Sequence, residues 1–229
     1  MSDMWTTIAA ERGALADDLA GLPDDAWTTR SLCGDWTVHD VLAHMTATAA
    51  MTPPTFLGGF IGSGFNFSKF SAKGIAQHRG STPAETLQNF RAQQHSRSSP
   101  PGPKLSWLGE TIVHAEDIRR PLGIRHAYPT EAVQTLLDFY KGSNTLIGTK
   151  SRIDGLTLRA TDADWSHGSG PVVEGPVLSL LVAATGRRAA CDELTGEGLE
   201  TLRSRTSDLL SRPASGGHRN IERIWPNRL

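Results

Sequence analysis

The chain has only two cysteines, Cys33 and Cys191, which are too few for a disulfide framework. No C-x-x-C pair occurs, so the sequence contains no zinc ribbon or dithiol redox motif. So few cysteines favour a reducing compartment, and we expect the protein to be cytoplasmic. Cys33 lies in the connector between the first two predicted helices, with no adjacent base, so we predict a structural role for this thiol and also for Cys191.

Long apolar runs and basic blocks are also missing. The longest apolar run, Gly175–Gly186, is shorter than the ~18 residues of a membrane span and contains Pro176. The first residues, Met1–Trp5, have neither a basic nor an apolar segment, so no signal peptide is expected. With a net charge of -1, the chain has no patch that could follow a phosphate backbone. We therefore expect neither a membrane nor a nucleic acid as partner.

The 229 residues, 38% of them hydrophobic, suffice for a substantial core. Apolar residues follow a helical period up to about residue 145 and then alternate, as in a half-buried strand, over 152–161. The pattern predicts an α+β protein, with a helical bundle over 1–148 and a small α+β domain over 149–229. Helices are expected over 2–20, 37–50, 104–120 and 130–140. A further helix is expected from Thr82 to before the polar break at 98–103, and a short helical piece at 72–78. In the second domain, short strands at 165–168 and 171–176 and helices at 177–185 and 199–210 are expected.

The second predicted helix begins at Thr37, three residues before Asp40, in a pattern typical of a capping box. The segment Phe56–Phe70 is rich in glycine and phenylalanine. We expect a long loop or short helix there, either covering one end of the bundle or acting as an apolar lid over a site.

A glutamate and a histidine, Glu110 and His114, lie four residues apart in the predicted helix that ends near Pro121. This spacing stacks both side chains on one helix face, about one turn apart. His44, at the edge of the apolar stripe of an earlier helix, supplies a second imidazole. Two histidines and a carboxylate can form a three-ligand metal site with an open fourth position. The same spacing is common in surface pairs and around core histidines, so the spacing leaves these alternatives open.

Two motifs carry a resemblance to a known family. The first, SLCGDWTVHDVLAH, covers residues 31–44, and the second, GETIVHAEDIRRPLG, covers residues 109–123. Together they resemble the DinB-like superfamily and, more narrowly, the mycothiol-dependent maleylpyruvate isomerase family. The segments 155–165, 173–176 and 185–188 are similar to the C-terminal domain of that family, which is related to sterol-carrier folds.

The resemblance implies a four-helix bundle that holds a divalent metal, usually zinc, through His44, Glu110 and His114. It further implies mycothiol as the thiol cofactor or co-substrate. A free thiol with a pKa of about 8.5 is mostly protonated at neutral pH, whereas a zinc-bound thiol is deprotonated. The thiolate would attack a small electrophile, either isomerising an activated double bond or remaining in an S-conjugate.

Three further residues are candidates for catalytic roles: Asp117, Arg187 and Arg205. Asp117 continues the polar stripe and could orient a metal ligand, hold a substrate group, or form a helix-end salt bridge with a neighbouring arginine. Arg187, or its neighbour Arg188, could bind a carboxylate through its guanidinium, or lie in solvent at a helix C-terminus. Arg205 is supported by the resemblance alone.

Two other classes of function are compatible with the sequence. In one, the chain is a binding protein without catalytic activity, and its metal residues are relics. In the other, it is a metal-dependent hydrolase that uses metal-bound water as nucleophile. A thiol-dependent enzyme should consume or recycle a thiol, whereas the two alternatives need none. We expect a monomer or a small homo-oligomer.

Overall fold

The computed structural model describes residues 3–144 and 147–206, which belong to two compact units divided between Ala127 and Tyr128. The described residues form helices and one small sheet, which confirms the predicted α+β class. No helix within these residues is both long and apolar enough to cross a membrane.

The first unit is helical, and its elements are α1 (Met4–Asp18), α2 (Val38–Ala50), α3 (Pro53–Gly62), α4 (Phe67–His78), α5 (Pro83–Ala92) and α6 (Leu105–Arg119). Four of these helices form a closed ring, because α1 and α2 each contact both α5 and α6. Large apolar side chains fill the ring, among them Leu15, Leu42, Phe90 and Ile112, and all four are fully buried. The predicted four-helix bundle is thus confirmed, and α4 packs on the outside against α2.

The capping box predicted at Thr37 begins α2. The Asp40 amide donates to Thr37 Oγ1 at 3.2 Å, and the Thr37 amide donates to Asp40 Oδ2 at 3.0 Å. Two amides at the helix start, which have no partner within the helix, are thereby satisfied. The cap fixes the first turn of α2 about two turns before His44 and so helps to set the direction of that side chain.

The aromatic segment Phe56–Phe70 is more regular than expected, because it forms most of α3 and the start of α4. Thr52 caps α3 and Pro53 occupies its first turn, an arrangement that favours a helix. The chain reverses at Phe65, whose φ of 58° lies in the left-handed region. None of the residues of α3 is buried, and its side chains Leu57 and Ile61 are 58% and 53% exposed. Whether this segment acts as a lid stays a prediction.

The second unit combines a three-stranded sheet with helices. Its elements are α7 (Thr130–Lys141), α8 (Thr149–Ile153), β1 (Thr157–Ala160), β2 (Ser166–Gly168), β3 (Val172–Gly175), α9 (Val177–Ala184) and α10 (Leu199–Arg205). The strand order is β2-β1-β3, with β1 antiparallel to β2 and parallel to β3. The apolar helix α9 contacts β1, β3 and α7 and thereby forms the core of this unit.

Two element boundaries in this unit differ from the prediction. The strand expected from Arg152 starts only at Thr157, because α8 precedes it and the chain turns at Gly155 with a φ of 68°. The helix expected over 199–210 ends at Arg205, and 207–210 lie outside the described residues. The domain boundary at 148 stays a prediction. By compactness, the division falls before α7, which packs on α9.

Loss of the α2 cap should destabilise the protein measurably. We expect Thr37→Ala to lower the free energy of unfolding by about 0.5–2 kcal/mol, the usual loss for an N-cap threonine. Thr52→Ala removes the same type of cap from α3, which buries no residue, and should have a smaller effect on global unfolding. Denaturant unfolding of both variants measures the difference. Equal losses would contradict the inference that the cap matters through the packing of α2.

Candidate metal centre

The structure brings the three predicted ligands together between α2 and α6. One ligand atom from each of His44, Glu110 and His114 lies within 4.8 Å of the other two. The two imidazole rings are nearly perpendicular, with centroids 5.0 Å apart and an interplanar angle of 82°. All three side chains are partly exposed, so a small molecule can reach them. Their role as ligands stays a prediction that this geometry permits.

Glu110 is held by a hydroxyl group from the facing helix. Thr48, one turn after His44 on α2, donates its hydroxyl to Glu110 Oε1 at 2.6 Å. Burial raises the pKa of Glu110, while the nearby charge of His114, the Thr48 hydrogen bond and the charge of Arg12 oppose this rise. The carboxylate is thereby fixed in orientation through one oxygen.

Asp117 contacts His114 rather than serving only the helix end. Its Oδ2 lies 2.8 Å from His114 Nδ1, and the carboxylate is fully buried. Of the neighbouring arginines, Arg119 pairs with Asp18 at 2.7 Å and Arg120 pairs with Glu116 at 2.8 Å. A carboxylate on one imidazole nitrogen is the usual support of a metal-binding histidine, and it leaves Nε2 as the nitrogen for a metal.

The two histidines have opposite protonation tendencies. Burial and the neighbouring charge of His114 lower the pKa of His44 to about 3. Burial also lowers the pKa of His114, but hydrogen bonds with Asp117 and Cys33 raise it more strongly, to about 10. At neutral pH without metal, His44 is therefore neutral and His114 carries a proton.

This donor set fits a divalent metal. Two imidazoles and one carboxylate are ligands that zinc takes in catalytic sites with an open position, although other divalent metals use the same groups. The anchored carboxylate of Glu110 and the anchored ring of His114 reduce the conformational entropy lost on binding. A metal would replace the proton that His114 holds.

Cys33 approaches the same site, which the sequence did not indicate. Interaction with the Cys33 thiol contributes to the raised pKa of His114. Ligand atoms of Cys33, His114 and Asp117 also lie within 4.8 Å of one another. The expectation that Cys33 has no neighbouring base was wrong. The connector folds back onto α6, where the Leu32 amide donates to the Asp117 carbonyl at 3.1 Å, and no local spacing reveals such a long-range contact.

Trp36, from the same connector, lies against His44. The ring centroids are 4.9 Å apart with an interplanar angle of 43°. The indole therefore restricts the His44 ring from the side of the connector. His39, on the same helix as His44, instead contacts Thr86, with Nε2 and Oγ1 2.6 Å apart.

The arginines predicted for substrate binding belong to the second unit and form a basic cluster there. Arg187 Nη1 donates to the Thr185 carbonyl at 3.0 Å, and Arg205 Nη1 donates to the Arg152 carbonyl at 3.1 Å. Burial and the charge of Arg187 lower the pKa of Arg152, which the sequence did not single out. A catalytic role for Arg187 or Arg205 stays a prediction.

Comparison with known proteins supports the resemblance carried by the two motifs. Residues 8–99 match a family described as the mycothiol maleylpyruvate isomerase N-terminal domain. The crystal structure of a mycothiol-dependent maleylpyruvate isomerase is similar in fold, with a TM-score of 0.59 and 16% identity, covering 85% of this chain and 91% of that chain. A variant of that enzyme with one histidine replaced by alanine gives a TM-score of 0.58 and 14% identity over the same shares. No curated protein sequence matches the chain.

Metal affinity should rise with pH. Because His114 holds its proton up to a pKa of about 10, a metal ion must displace that proton to bind. His44, with a pKa of about 3, needs no deprotonation at neutral pH. Below the His114 pKa, we expect the apparent dissociation constant to fall about tenfold for each unit of rising pH. Competition with a chromophoric chelator across the neutral range measures this slope.

Asp117→Asn provides the control for this pH dependence. The substitution removes the charge that holds the His114 proton, so the slope should flatten while affinity at high pH also falls. A slope near zero in the unsubstituted protein would contradict the assigned protonation of His114.

The two thiols should differ in reactivity. Cys33 is partly exposed, whereas Cys191 is fully buried and its pKa is raised by that burial. We expect an aromatic disulfide reagent to modify one thiol rapidly in the native protein and both after denaturation. Cys33→Ser should abolish the rapid phase, and Cys191→Ser should preserve it. Rapid labelling that survives Cys33→Ser would contradict the assignment.

Proposed function

We propose that this chain, whose residues 8–99 match the mycothiol maleylpyruvate isomerase N-terminal domain, is a metal-dependent enzyme that uses a low-molecular-weight thiol. The thiol is mycothiol, and the substrate is a small electrophile. The observation that carries the proposal is the convergence of His44, Glu110 and His114 between two helices of the bundle. The partial exposure of the three ligands leaves room for a thiol at the open position.

The three proposed ligands explain how the enzyme would obtain a thiolate at neutral pH. Zinc or a similar divalent ion, held by His44, Glu110 and His114, would lower the pKa of a thiol that joins it and so supply a thiolate at neutral pH. Thr48 orients the carboxylate of Glu110 for this purpose, and Asp117 orients the imidazole of His114. Asp117 is thus a positioning residue, because it acts through His114.

Other residues of the chain would contribute a ring packed against His44 and cationic side chains for a carboxylate. Trp36 of the connector lies against the His44 ring, with the ring centroids 4.9 Å apart. Arg187 is proposed to bind a carboxylate through its guanidinium, and Arg205 is a further candidate that only the resemblance supports. An isomerase would regenerate the thiol in each cycle, whereas an S-transferase would consume it. Product analysis therefore separates the two reactions.

Metal content and thiol dependence test the proposal together. The purified protein should bind about one equivalent of zinc or a similar metal. His44→Ala, Glu110→Ala and His114→Ala should each lose the metal and the thiol-dependent activity. His39→Ala removes a histidine from the same helix that contacts Thr86 instead, and it should retain the metal. Elemental analysis beside an assay with and without thiol provides the measurement.

Two outcomes would contradict the proposal in different ways. A protein that takes up no metal even after reconstitution would be better explained as a binding protein. A protein that binds metal but turns over a substrate equally well without thiol would be a hydrolase of the same fold. Thiol-dependent activity that the unsubstituted protein shows and all three ligand variants lack would support the proposed enzyme.

A further inference from the structure

The exposed apolar side chains of the protein are concentrated in one place. The helices α3 and α4 with the turn between them, residues 53–78, form what we call the aromatic hairpin. Every large apolar side chain that is exposed within the described residues belongs to it: Leu57 (58%), Ile61 (53%), Phe65 (65%) and Phe67 (42%). A concentrated apolar patch of this kind marks a surface that binds a protein or a membrane.

Inner rings hold the aromatic hairpin together and leave other apolar side chains on its outside. The ring centroids of Phe60 on α3 and Phe70 on α4 are 6.0 Å apart. Gly59 permits this close approach, because a Cβ atom there would lie only 2.8 Å from the Phe70 ring. Leu57 and Ile61, four residues apart, share a different face of α3, and that face is exposed.

The turn between the two helices continues this apolar surface. Phe65 in the turn and Phe67 at the start of α4 both contact the Phe60 ring, with centroids 5.5 and 5.7 Å apart. Both rings nevertheless remain exposed. The apolar surface therefore runs from the outer face of α3 around the end of the hairpin, and it is not confined to one helix.

The aromatic hairpin is basic, although the chain as a whole has a net charge of -1. No acidic residue occurs between Asp40 and Glu85, so the hairpin contains none of the 24 acidic residues of the chain. Lys69 and Lys73 lie one turn apart on α4 and are exposed, and neither forms an ion pair within the part of the chain that the structure describes. Lys69 shares the first turn of α4 with Phe67, so positive charge adjoins the apolar surface.

An anionic lipid surface satisfies both the apolar and the basic character of the hairpin. Phenylalanine, leucine and isoleucine side chains enter the boundary between headgroups and acyl chains, and lysines on their long stems reach the lipid phosphates. A second copy of the chain fits less well. Two hairpins paired through this surface would bring their lysines together, and neither hairpin has a carboxylate to pair with them.

We infer that the aromatic hairpin docks the protein on the surface of an anionic membrane. The four exposed apolar side chains enter the interface without spanning the bilayer, and Lys69 and Lys73 contact lipid phosphates. This inference goes beyond the proposed function, because it involves neither the metal nor the thiol. It differs from the expectation that no membrane is a partner, which rested on the lack of a spanning run and of a signal peptide.

Flotation of the unsubstituted full chain with lipid vesicles tests the inference. Vesicles made of phosphatidylglycerol and phosphatidylcholine in equal parts should bind the protein about 10- to 30-fold more tightly than vesicles of phosphatidylcholine alone. Raising the salt concentration to about 0.5 M should weaken binding to the mixed vesicles, because screening shortens the reach of the lysine charges. Binding to neither kind of vesicle, or equal binding to both, would overturn the inference.

A double substitution on α3 tests the apolar contribution. Leu57→Gln together with Ile61→Gln removes two exposed side chains from a helix that buries no residue, so the fold should persist. We expect binding to the mixed vesicles to fall by about 10- to 100-fold, because two aliphatic side chains no longer leave water. Circular dichroism checks that the variant is folded. Undiminished vesicle binding by the folded variant would overturn the inference.

A double substitution on α4 tests the charge contribution. Lys69→Gln together with Lys73→Gln should lower binding to the mixed vesicles by about 10- to 30-fold and abolish the preference for phosphatidylglycerol. Lys104→Gln together with Lys150→Gln is the matched control, because it removes the same charge from two other exposed lysines. The control should stay within about threefold of the unsubstituted protein. Equal losses in the two variants would indicate attraction by net charge alone and would overturn the inference.

Sedimentation equilibrium distinguishes a membrane from a second copy of the chain. A dimer of the unsubstituted protein that dissociates in the α3 variant would show that another copy covers the hairpin, and would overturn the inference. The vesicle measurements require neither metal nor thiol. Failure of thiol-dependent turnover would therefore contradict the proposed function, while selective binding to anionic vesicles would still support the docking surface.

Discussion

The close approach of three ionisable side chains between α2 and α6 is the constraint around which the candidate site is organised. Glu110, His44 and His114 lie within 4.8 Å of one another, too close for all of them to take independent charge states. One imidazole gives up its proton and the other holds it more tightly. A divalent metal ion would relieve this conflict, because it would need all three groups in their deprotonated forms.

The surrounding residues are arranged to meet this constraint. Each of the three proposed ligands has one supporting contact: Trp36 for His44, Thr48 for Glu110 and Asp117 for His114. These supports come from the connector, α2 and α6, so the site relies on packing between elements rather than on a single motif. The packing of α2 against α6 and the capping box that begins α2 therefore help to position the proposed ligands as well as to stabilise the bundle.

The sequence predicted what local chemistry determines. The Thr37 cap, the E-x-x-x-H face of α6 and the α+β order all follow from spacings of a few residues, and the structure reproduces them. Contacts between distant segments were missed. Cys33 reaches His114 because the connector folds back, and Arg12 is near Glu110 because α1 packs on α6. The glycine-rich segment formed helices because Thr52 and Pro53 start α3 strongly enough to offset its glycines.

The connector that carries Cys33 and Trp36 also limits where residues can be inserted into or deleted from the chain. Ser31 is tied to the Trp36 carbonyl, and the adjacent Leu32 amide is tied to Asp117 on α6. Surface loops usually tolerate insertions at small cost. A residue inserted between Leu32 and Trp36 would shift the Cys33 thiol and the Trp36 indole away from the histidines together. Relatives that keep this chemistry should therefore vary in length elsewhere, such as in the proline-rich stretch before α6, and hold this short loop constant.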